Sequence, residues 1–362
     1  MKVIERKGDN LMSENLARLI TFYLPQFHPI PENDEWWGKG FTEWANVCKA
    51  TPLFEGHYQP HIPANLGFYD LRLPEARQAQ ASLAQRYGIE GFCYWHYWFE
   101  GKRLLERPFN EVLSSGEPDF PFCLAWANET WSRRWLGEEK NILLQQTYSL
   151  QDDFNHIEWL MGAFSDPRYI RVNGRPLFLV YRPFNLPEPE RTTEIWRKEC
   201  IRNGLPEPYL LGINSHSHDD CRDKGFDGNV DFEPQLGVLP GPLDEGLKIY
   251  DYAMARSRMT SRERDFPFYP CIFAQWDNTP RRGEDGIVFI NSTPEQFESG
   301  LEDIVQSTLD KPHEDRLVFI NAWNEWAEGN HLEPDLKNGL KYLEAIRRVV
   351  FASERSGREL VR

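Results

Sequence analysis

The sequence has 362 residues, and its 41 lysines and arginines against 56 aspartates and glutamates give a net charge of −15. Such an acidic chain lacks the basic character that nucleic-acid binding requires, and 14% aromatic residues exclude a disordered composition. No apolar run reaches the ~18 residues of a transmembrane helix, and the charged N-terminus resembles no signal peptide. The six cysteines are scattered, as in a reducing compartment. We expect a globular cytoplasmic protein without nucleic-acid partners or membrane insertion.

Short apolar runs alternate with longer amphipathic stretches along the chain, which is typical of repeated βα units. The predicted strands are Arg18–Leu24, Ile89–Tyr97, Phe120–Ala127, Leu177–Arg182, Tyr209–Asn214, Gly228–Phe232, Tyr269–Gln275 and Leu317–Ala322. The predicted helices are Pro74–Tyr87, Leu104–Leu113, Asp152–Phe164, Glu190–Asn203, Leu247–Arg256, Pro294–Leu309 and Leu336–Ser353. Strands that are apolar on both faces indicate a parallel sheet. Eight of them predict an α/β fold of the (β/α)8 TIM-barrel type, and a doubly wound open sheet is the alternative.

The organisation of the chain indicates one domain with elaborated βα loops. Residues 1–17 are predicted to be an N-terminal lead, with Met12 as an alternative start, and residues 18–355 to be the catalytic domain. The stretch Pro25–Leu73 contains no clear helix. A connection of this length within a compact domain usually has a function.

Eleven of the thirteen tryptophans lie at or just beyond the carboxyl ends of predicted strands. They are Trp36, Trp37, Trp44, Trp95, Trp98, Trp126, Trp131, Trp135, Trp276, Trp323 and Trp326. Active sites of α/β barrels are built at this end. An indole offers an apolar face to a sugar ring and an N–H group to a hydroxyl. The tryptophans therefore favour a ligand-facing aromatic lining, while core packing between loops is the simpler explanation for some of them.

Carboxylates, amides and hydroxyl groups share these strand ends with the tryptophans. The candidate substrate-binding residues are Tyr23, Gln26, His28, Glu43, Trp44, Trp95, His96, Tyr97, Trp126, Asn128, Glu129, Trp276, Asp277, Trp323 and Asn324. A barrel would gather them into one ring, and Trp95, Trp126, Trp276 and Trp323 are expected to line one pocket with Glu129 and Asp277. This combination of hydrogen-bonding groups and stacking surfaces suits a neutral, polyhydroxylated substrate.

Glu325 and Glu328 are the candidate catalytic pair. Their spacing places both on one side of a helical turn, or close together in a tight loop. Neighbouring carboxylates cannot ionise equally easily, so one is favoured as an acid and the other as a base. Two glutamates in a turn are usually only an exposed acidic surface, but flanking tryptophans and asparagines after an apolar strand argue against that here.

Two histidine-containing segments are weaker candidates. His216 and His218 precede two aspartates and have metal-ligand chemistry, although a solvated polar loop is the more common explanation. His57 and His61 are either ligand contacts or groups that order a loop. The sequence contains no dinucleotide, P-loop or serine-hydrolase motif. We therefore expect neither a cofactor nor a metal.

Five ordered motifs resemble the bacterial WbsX-like family, whose members are labelled glycosyltransferases or lipopolysaccharide-biosynthesis proteins. They are Phe22–His28, Gly40–Trp44, Gly91–Trp98, Trp126–Glu129 and Trp323–Gly329, within a match from Arg18 to Tyr342. This family is in turn distantly similar to glycoside hydrolase family 99, the endo-α-mannosidases and endo-α-mannanases, which are (β/α)8 barrels. Asn324–Gly329 matches the Asn-Glu-Trp-x-Glu-Gly motif of those hydrolases position by position.

The resemblance to family 99 implies an unusual retaining mechanism. Glu325 would act as a base on the sugar 2-hydroxyl, which attacks C1 to give a 1,2-anhydro intermediate. Glu328 would protonate the leaving oxygen and then activate water. The usual retaining pattern has a carboxylate attack C1 directly. Attack by the 2-hydroxyl requires it to be trans to the leaving group, as in α-manno and α-rhamno sugars.

Three functions compete on the sequence alone. The leading hypothesis is a glycoside hydrolase acting on the manno- or rhamno-configured bonds of a bacterial polysaccharide. The alternative is a glycosyltransferase of O-antigen or lipopolysaccharide biosynthesis, which a cytoplasmic location favours but the missing nucleotide-binding and metal-binding motifs do not. A catalytically silent carbohydrate-binding barrel is third, and the presence of both Glu325 and Glu328 argues against it.

Overall fold

The computed structural model describes residues 15–133, 138–215, 219–239, 241–243, 246–260 and 264–351. Its centre is a closed barrel of eight parallel strands. In chain order they are β1 (Arg18–Tyr23), β2 (Gly91–Phe99), β3 (Phe122–Trp126), β4 (Arg175–Val180), β5 (Tyr209–Asn214), β6 (Gly228–Asp231), β7 (Phe268–Phe273) and β8 (Leu317–Asn321). The barrel closes because β1 pairs with both neighbours, Ile20 opposite Gly91 on β2 and Arg18 opposite Leu317 on β8. The predicted (β/α)8 barrel is therefore confirmed, and the open sheet is excluded.

The strands form where apolar and aromatic residues run without alternation, since one strand face points into the barrel and the other towards the helices. Aromatic rings fill part of the interior. Phe22 stacks on Trp95 with ring centroids 5.1 Å apart, and it also contacts Phe232 and Phe319. The barrel is thus packed below its mouth, as in other TIM barrels, and a ligand can enter only at an end.

Ten α-helices lie within the described residues. They are α1 (Pro31–Trp37), α2 (Glu43–Lys49), α3 (Pro74–Arg86), α4 (Arg107–Ser115), α5 (Leu150–Phe164), α6 (Pro189–Arg202), α7 (Tyr252–Thr260), α8 (Thr279–Arg282), α9 (Pro294–Gln306) and α10 (Lys341–Val350). Proline in the first turn of α3, α6 and α9 removes an N–H group that would have no helical partner. Thr293 caps α9 by accepting a hydrogen bond from the Gln296 N–H group. No helix in the described ranges is long and apolar enough to cross a membrane.

Short strands and 3₁₀ turns elaborate the loops. The paired short strands are Lys102–Leu104 with the end of β2, Trp131–Arg133 with Glu138–Leu144, Arg171–Val172 with the start of β4, Lys248–Asp251 with Ile287–Ile290, and Asn324–Glu325 with Asn330–His331. The 3₁₀ turns are Pro183–Asn185, Arg222–Lys224, Leu236–Val238, Gly283–Asp285, His313–Asp315 and Trp326–Glu328.

Three element predictions differ from the structure. The stretch 25–73 contains the two short helices α1 and α2, whose few apolar positions give no periodic signal. The predicted helix Leu247–Arg256 starts instead as a strand, because residues 248–251 pair with 287–290 before α7 begins. The last helix begins at Lys341 rather than Leu336, since residues 335–339 form a turn in which the Gly339 N–H group donates to the Asp335 carbonyl.

Candidate active site

A cleft of about 610 Å³ opens where the barrel strands end in the βα loops. Ligand sites commonly have volumes of ~300–1,000 Å³. Eight of the candidate catalytic and binding residues line it, namely Gln26, Glu43, Trp95, Tyr97, Glu129, Trp276, Glu325 and Glu328. The cleft therefore brings together both candidate catalytic glutamates and six of the candidate binding residues.

Arg281 on the short helix α8 joins three carboxylates at one side of the cleft. Its Nη2 lies 2.8 Å from Glu325 Oε1 and 3.1 Å from Glu43 Oε2, and its Nη1 lies 2.8 Å from Glu328 Oε1. The side chains of Arg281, Glu43 and Glu325 are each less than a tenth exposed, whereas that of Glu328 is 24% exposed. One guanidinium thus orients two buried carboxylates and a third that faces the open cleft.

The protonation of this cluster follows from its burial and its excess of carboxylates. Burial, together with the negative charges of Glu328 and Glu43, raises the pKa of the Glu325 carboxyl well above its ordinary value, although the Arg281 guanidinium lowers it. Burial opposes the charge of Arg281, but the three carboxylates outweigh it and raise the Arg281 pKa. Arg281 therefore stays charged, and Glu325 holds its proton to a higher pH than an exposed glutamate.

The loop that carries both glutamates is hydrogen-bonded to residues that follow the first and seventh strands. The Asn324 side chain accepts a hydrogen bond from the Leu24 N–H group (2.8 Å) and donates one to the Leu24 carbonyl (3.0 Å). The Asp277 N–H group donates to the Glu328 carbonyl at 2.7 Å. Gly329 follows with φ +58°, and a Cβ at this position would lie 3.0 Å from Asp277 Cβ. Only glycine meets both requirements without strain.

Asp277 connects several segments beneath the same side of the cleft through hydrogen bonds. Its Oδ2 lies 2.6 Å from His57 Nε2 and accepts a hydrogen bond from Gln59 Nε2 at 2.6 Å, while its Oδ1 accepts from the N–H and hydroxyl groups of Thr279. Burial would raise the Asp277 pKa, but these hydrogen bonds outweigh it and lower the pKa below its ordinary value. Asp277 therefore connects the His57 loop to the first residue of α8, two positions before Arg281.

The opposite wall of the cleft contains a second ion pair. Arg182 Nε donates to Glu129 Oε1 at 2.7 Å, and its Nη1 donates to Ser215 Oγ at 2.9 Å. Asn128 fixes the Arg182 backbone, accepting from its N–H group at 2.7 Å and donating to its carbonyl at 2.9 Å. The Glu129 carboxylate, 35% exposed, is left accessible to a ligand.

Aromatic side chains lie between the two charged walls. Trp95 is supported from below by Phe22 and contacts Tyr181 edge to face, with ring centroids 5.3 Å apart. The Tyr97 hydroxyl accepts a hydrogen bond from Gln26 Nε2 at 2.7 Å. Trp276 and Trp131 also line the cleft. The site therefore offers flat apolar surfaces flanked by hydrogen-bonding groups.

The remaining candidate binding residues lie behind the cleft wall rather than in it. They are Tyr23, His28, Trp44, His96, Trp126, Asn128, Asp277, Trp323 and Asn324, all at most 9% exposed. Trp126 donates its indole N–H to the Trp98 carbonyl and Trp44 donates its own to the Tyr69 carbonyl, so these indoles are committed to the fold. His96 lies 3.0 Å from His156 between their Nε2 atoms. Of the six side chains expected to share a pocket, Trp95, Trp276 and Glu129 line it, while Trp126, Trp323 and Asp277 lie behind it.

A buried hydrogen-bond network around Glu333 supports the loop that carries Glu325 and Glu328. Glu333 accepts hydrogen bonds from Trp326 Nε1 (2.6 Å), the Tyr69 hydroxyl (2.8 Å) and Gln80 Nε2 (2.7 Å). Gln80 accepts in turn from the Tyr23 hydroxyl at 2.7 Å. Burial raises the pKa of Glu333 to about 7. The role of Tyr23 in the structure is therefore to anchor this network.

His61, His331 and Asp335 are the described group whose atoms converge closely enough to hold a metal ion. His331 Nδ1 is bonded to the Glu333 carbonyl at 2.8 Å, which makes its Nε2 an acceptor, and His61 Nδ1 lies 2.9 Å from that Nε2. Burial lowers the pKa of His61 to about 3, so this imidazole is neutral. A hydrogen bond between two neutral imidazoles accounts for the contact. The other metal candidates, His216 and His218, lie outside the described residues, as does Trp135.

Comparison with known protein families gives one match over most of the chain. The family described as "Glycosyltransferase WbsX" matches residues 19–346. The chain belongs to this family. Two relatives, both named "Uncharacterized protein WxcX" and found in Xanthomonas campestris pv. campestris strains B100 and ATCC 33913, are 45% identical over 344 residues. The alignment covers 92% of the present chain and 50% of each relative, so the chain spans about half the length of the curated relatives it matches.

Solved structures share the fold of this WbsX family member at low sequence identity. Two structures of a GH99 endo-α-mannosidase from Bacteroides thetaiotaomicron are 15% identical, with TM-scores of 0.57 and 0.59 over 95% and 94% of this chain and 98% of theirs. A "Glycoside hydrolase-like protein" is 12% identical, with a TM-score of 0.57 over 96% of this chain and 97% of its own. The WbsX family member therefore shares its barrel fold with these solved structures.

Sequence reasoning missed two residues of this site. Arg281 stands in a polar segment that has no motif character of its own, and only the closed barrel brings α8 against α2 and the loop after β8. Glu333 lies five residues after Glu328, and no motif singled out from the sequence includes it. Arg281 binds both glutamates of the predicted pair directly across a long sequence separation, whereas Glu333 contacts their loop through Trp326.

Proposed function

We propose that this protein is a retaining glycoside hydrolase that cleaves α-manno- or α-rhamno-configured bonds of a bacterial polysaccharide with participation of the sugar 2-hydroxyl. The observation that carries the proposal is the arrangement of Glu325 and Glu328 on the two terminal nitrogens of one guanidinium. The pair lines an aromatic cleft, with Glu325 buried and Glu328 partly exposed. A buried carboxylate beside the sugar and a partly exposed one beside the leaving group are compatible with roles as base and acid, which supports the proposal.

In the first step Glu325 takes the proton of the 2-hydroxyl as O2 forms a bond to C1. The bond from C1 to the leaving oxygen breaks, and Glu328 gives its proton to that oxygen. The products are a 1,2-anhydro sugar, a protonated Glu325 and an ionised Glu328. The geometry of the sugar must place O2 opposite the leaving group, which is why the proposal specifies α-manno or α-rhamno configuration.

In the second step Glu328 takes a proton from water as the water oxygen attacks C1. The C1–O2 bond breaks, and Glu325 returns its proton to O2. Two displacements at C1 give overall retention of configuration, and both carboxyl groups regain their starting protonation states. The partial exposure of Glu328 supports this role, because the leaving oxygen and the incoming water must both reach it.

The electrostatics of Glu325 support its assignment as the base. A sugar hydroxyl is a weak acid, so its deprotonation needs a base of high proton affinity. Burial and the Glu43 carboxylate supply that affinity by raising the Glu325 pKa, while the Arg281 guanidinium stabilises the ionised form that acts as the base. The same burial removes water that would otherwise compete for the carboxylate.

The lining of the cleft supports a saccharide as the substrate. Trp95 and Trp276 offer indole surfaces of the kind that pack on the C–H faces of a sugar ring, and Glu129 and Gln26 offer hydrogen-bonding groups for its hydroxyls. The family description, a glycosyltransferase, supports a glycan as the substrate, and the resemblance to lipopolysaccharide-biosynthesis proteins supports a bacterial one. The endo-α-mannosidase activity named for the B. thetaiotaomicron structures supports a manno configuration.

A substrate panel tests the reaction class directly. The protein is incubated with aryl α-mannosides, α-rhamnosides and α-glucosides, and separately with UDP-, GDP- and dTDP-sugars plus a glycan acceptor. Hydrolysis of the α-manno or α-rhamno glycosides, lost in Glu325→Gln, is the expected result. Transfer from a nucleotide sugar without glycoside hydrolysis would instead support the second candidate, a glycosyltransferase, which the family description favours.

A further inference from the structure

We propose that Arg281 and Glu43 are positioning residues that set, with opposite signs, the pH at which Glu325 becomes a base. They thereby fix the lower pH limit of activity. This inference rests on the proposed function for its effect on catalysis, but the electrostatic coupling itself can be measured without substrate.

The contacts show why these two residues act together. Arg281 Nη2 is shared between Glu325 Oε1 at 2.8 Å and Glu43 Oε2 at 3.1 Å, and Arg281 Nε reaches the same Glu43 oxygen at 3.2 Å. The side chains of Glu43, Arg281 and Glu325 are 2%, 6% and 9% exposed. Water screens charges poorly at such depth, so each charge acts on Glu325 at close range.

Four elements present titratable or charged groups to Glu325. Arg281 comes from α8, Glu43 from α2, Glu328 from the same loop, and Tyr97 from β2. Burial raises the pKa of the Tyr97 hydroxyl, which also accepts a hydrogen bond from Gln26, so Tyr97 is neutral at the pH of interest. Arg281 thus favours the ionised form of Glu325, while Glu43 and Glu328 oppose it.

Glu43 is the carboxylate in this cluster that the proposed mechanism does not use. Its carboxylate accepts hydrogen bonds from Nε and Nη2 of Arg281, and it accepts a further hydrogen bond from Asn46 Nδ2 at 3.3 Å. Its negative charge partly cancels that of Arg281 as felt by Glu325. Without Glu43, the guanidinium would hold Glu325 ionised to lower pH and make it a weaker base.

The two residues therefore have opposite effects on the acid limb of the pH–activity profile. Nearby charges shift a carboxyl pKa by about 1–3 units. Arg281→Gln removes the cation, so the acid limb should move up by about 1–3 pH units. Glu43→Gln removes an anion, so the limb should move down by about 1 unit. Arg281→Lys keeps the charge but loses the forked geometry, so its limb should stay near that of the parent while kcat falls.

The experiment measures kcat/KM across about pH 4–9 for the parent protein, Arg281→Gln, Arg281→Lys and Glu43→Gln. Arg348→Gln is the matched control, because Arg348 pairs with Glu298 between α9 and α10 on the outside of the barrel. In parallel, the Glu325 carboxyl carbon is titrated by NMR in glutamate-labelled protein without substrate, its signal assigned by its loss in Glu325→Gln. Circular dichroism verifies that each variant is folded.

Opposite shifts in Arg281→Gln and Glu43→Gln, with none in Arg348→Gln, are the expected result, because a general loss of structure would not move the limb in two directions. Shifts in the same direction, or none in the NMR titration, would overturn the inference. If Arg281→Gln does not fold, the downward shift in Glu43→Gln and the unchanged limb of Arg281→Lys still decide it. Opposite NMR shifts in a protein that hydrolyses no glycoside would refute the proposed function and leave the coupling standing.

Discussion

Replacing Glu328 by glutamine should produce a loss of activity that depends on the leaving group of the substrate. The variant lacks the proton that the leaving oxygen receives in the first step. An acidic phenol departs with little protonation, whereas a sugar alcohol or a weakly acidic phenol does not depart without it. We therefore expect cleavage to be slowed strongly for natural linkages and little for activated aryl glycosides.

The size of the contrast follows from the position of the side chain. General acid assistance is typically worth ~10²–10⁴-fold, or about 3–5 kcal/mol. Glu328 is 24% exposed, and one of its oxygens accepts from Arg281 Nη1 at 2.8 Å. The amide oxygen of glutamine can accept the same hydrogen bond, so the fold and the Arg281 position should survive. The loss with poor leaving groups should therefore measure the missing proton rather than disruption of the site.

The assay compares kcat/KM for a series of aryl glycosides of decreasing phenol acidity. Glu328→Gln should show a steep dependence on the leaving group, and the parent protein a shallow one. Glu344→Gln, the same change at an exposed position on α10, is the control and should behave as the parent does. An equal factor of loss for every leaving group would refute the assignment of Glu328 as the acid.

Four further variants test other parts of the account. Glu325→Gln should abolish turnover of every substrate regardless of leaving group, because the 2-hydroxyl keeps its proton; residual leaving-group-dependent activity would contradict this. Asp277→Asn should lower stability at neutral pH by about 1–3 kcal/mol in urea unfolding, since four hydrogen bonds to the carboxylate weaken. Leu177→Ala, at a fully buried position on β4, should cost about 2–5 kcal/mol in the same measurement. The pKa of Glu333 is raised to about 7, so its proton stabilises the fold fully below about pH 4.5, and this stabilisation is lost as the pH rises through about 7. The free energy of unfolding of the parent should therefore fall by about 3 kcal/mol relative to that of Glu333→Gln over that interval. Parallel pH curves of the two proteins would contradict this.

The barrel was predictable from the sequence because its strands are short, continuously apolar segments. Segments such as Phe122–Trp126 and Leu317–Asn321 are apolar on both faces, as is typical of a strand that is buried on both sides. The starts of helices with a proline in the first turn, such as α3 and α9, were also predictable from the sequence. The strand at 248–251 was not predictable, because its pairing with 287–290 depends on a tertiary contact that local periodicity does not encode.

The candidate site was predictable only in part, for a similar reason. The pair Glu325 and Glu328 stands in a local motif, so its proximity follows from spacing. Trp95 and Trp126 both lie near strand ends, but Trp95 pairs with Ala125 and Trp126 with His96, so the two indoles leave opposite faces of the sheet. Trp95 lines the cleft, and Trp126 donates its N–H group to the Trp98 carbonyl. Composition cannot separate these outcomes. Arg281 required the contact between α8 and two distant elements, which the folded barrel alone supplies.

Participation of the 2-hydroxyl is the central claim, and one pair of substrates tests it most directly. The parent protein is given an aryl α-mannoside and the matching 2-deoxy glycoside, and release of the phenol is followed for both. The account predicts that the mannoside is cleaved with retention and that the 2-deoxy compound is not turned over, because it has no hydroxyl for Glu325 to deprotonate. Cleavage of the 2-deoxy compound as fast as that of its parent would contradict the claim.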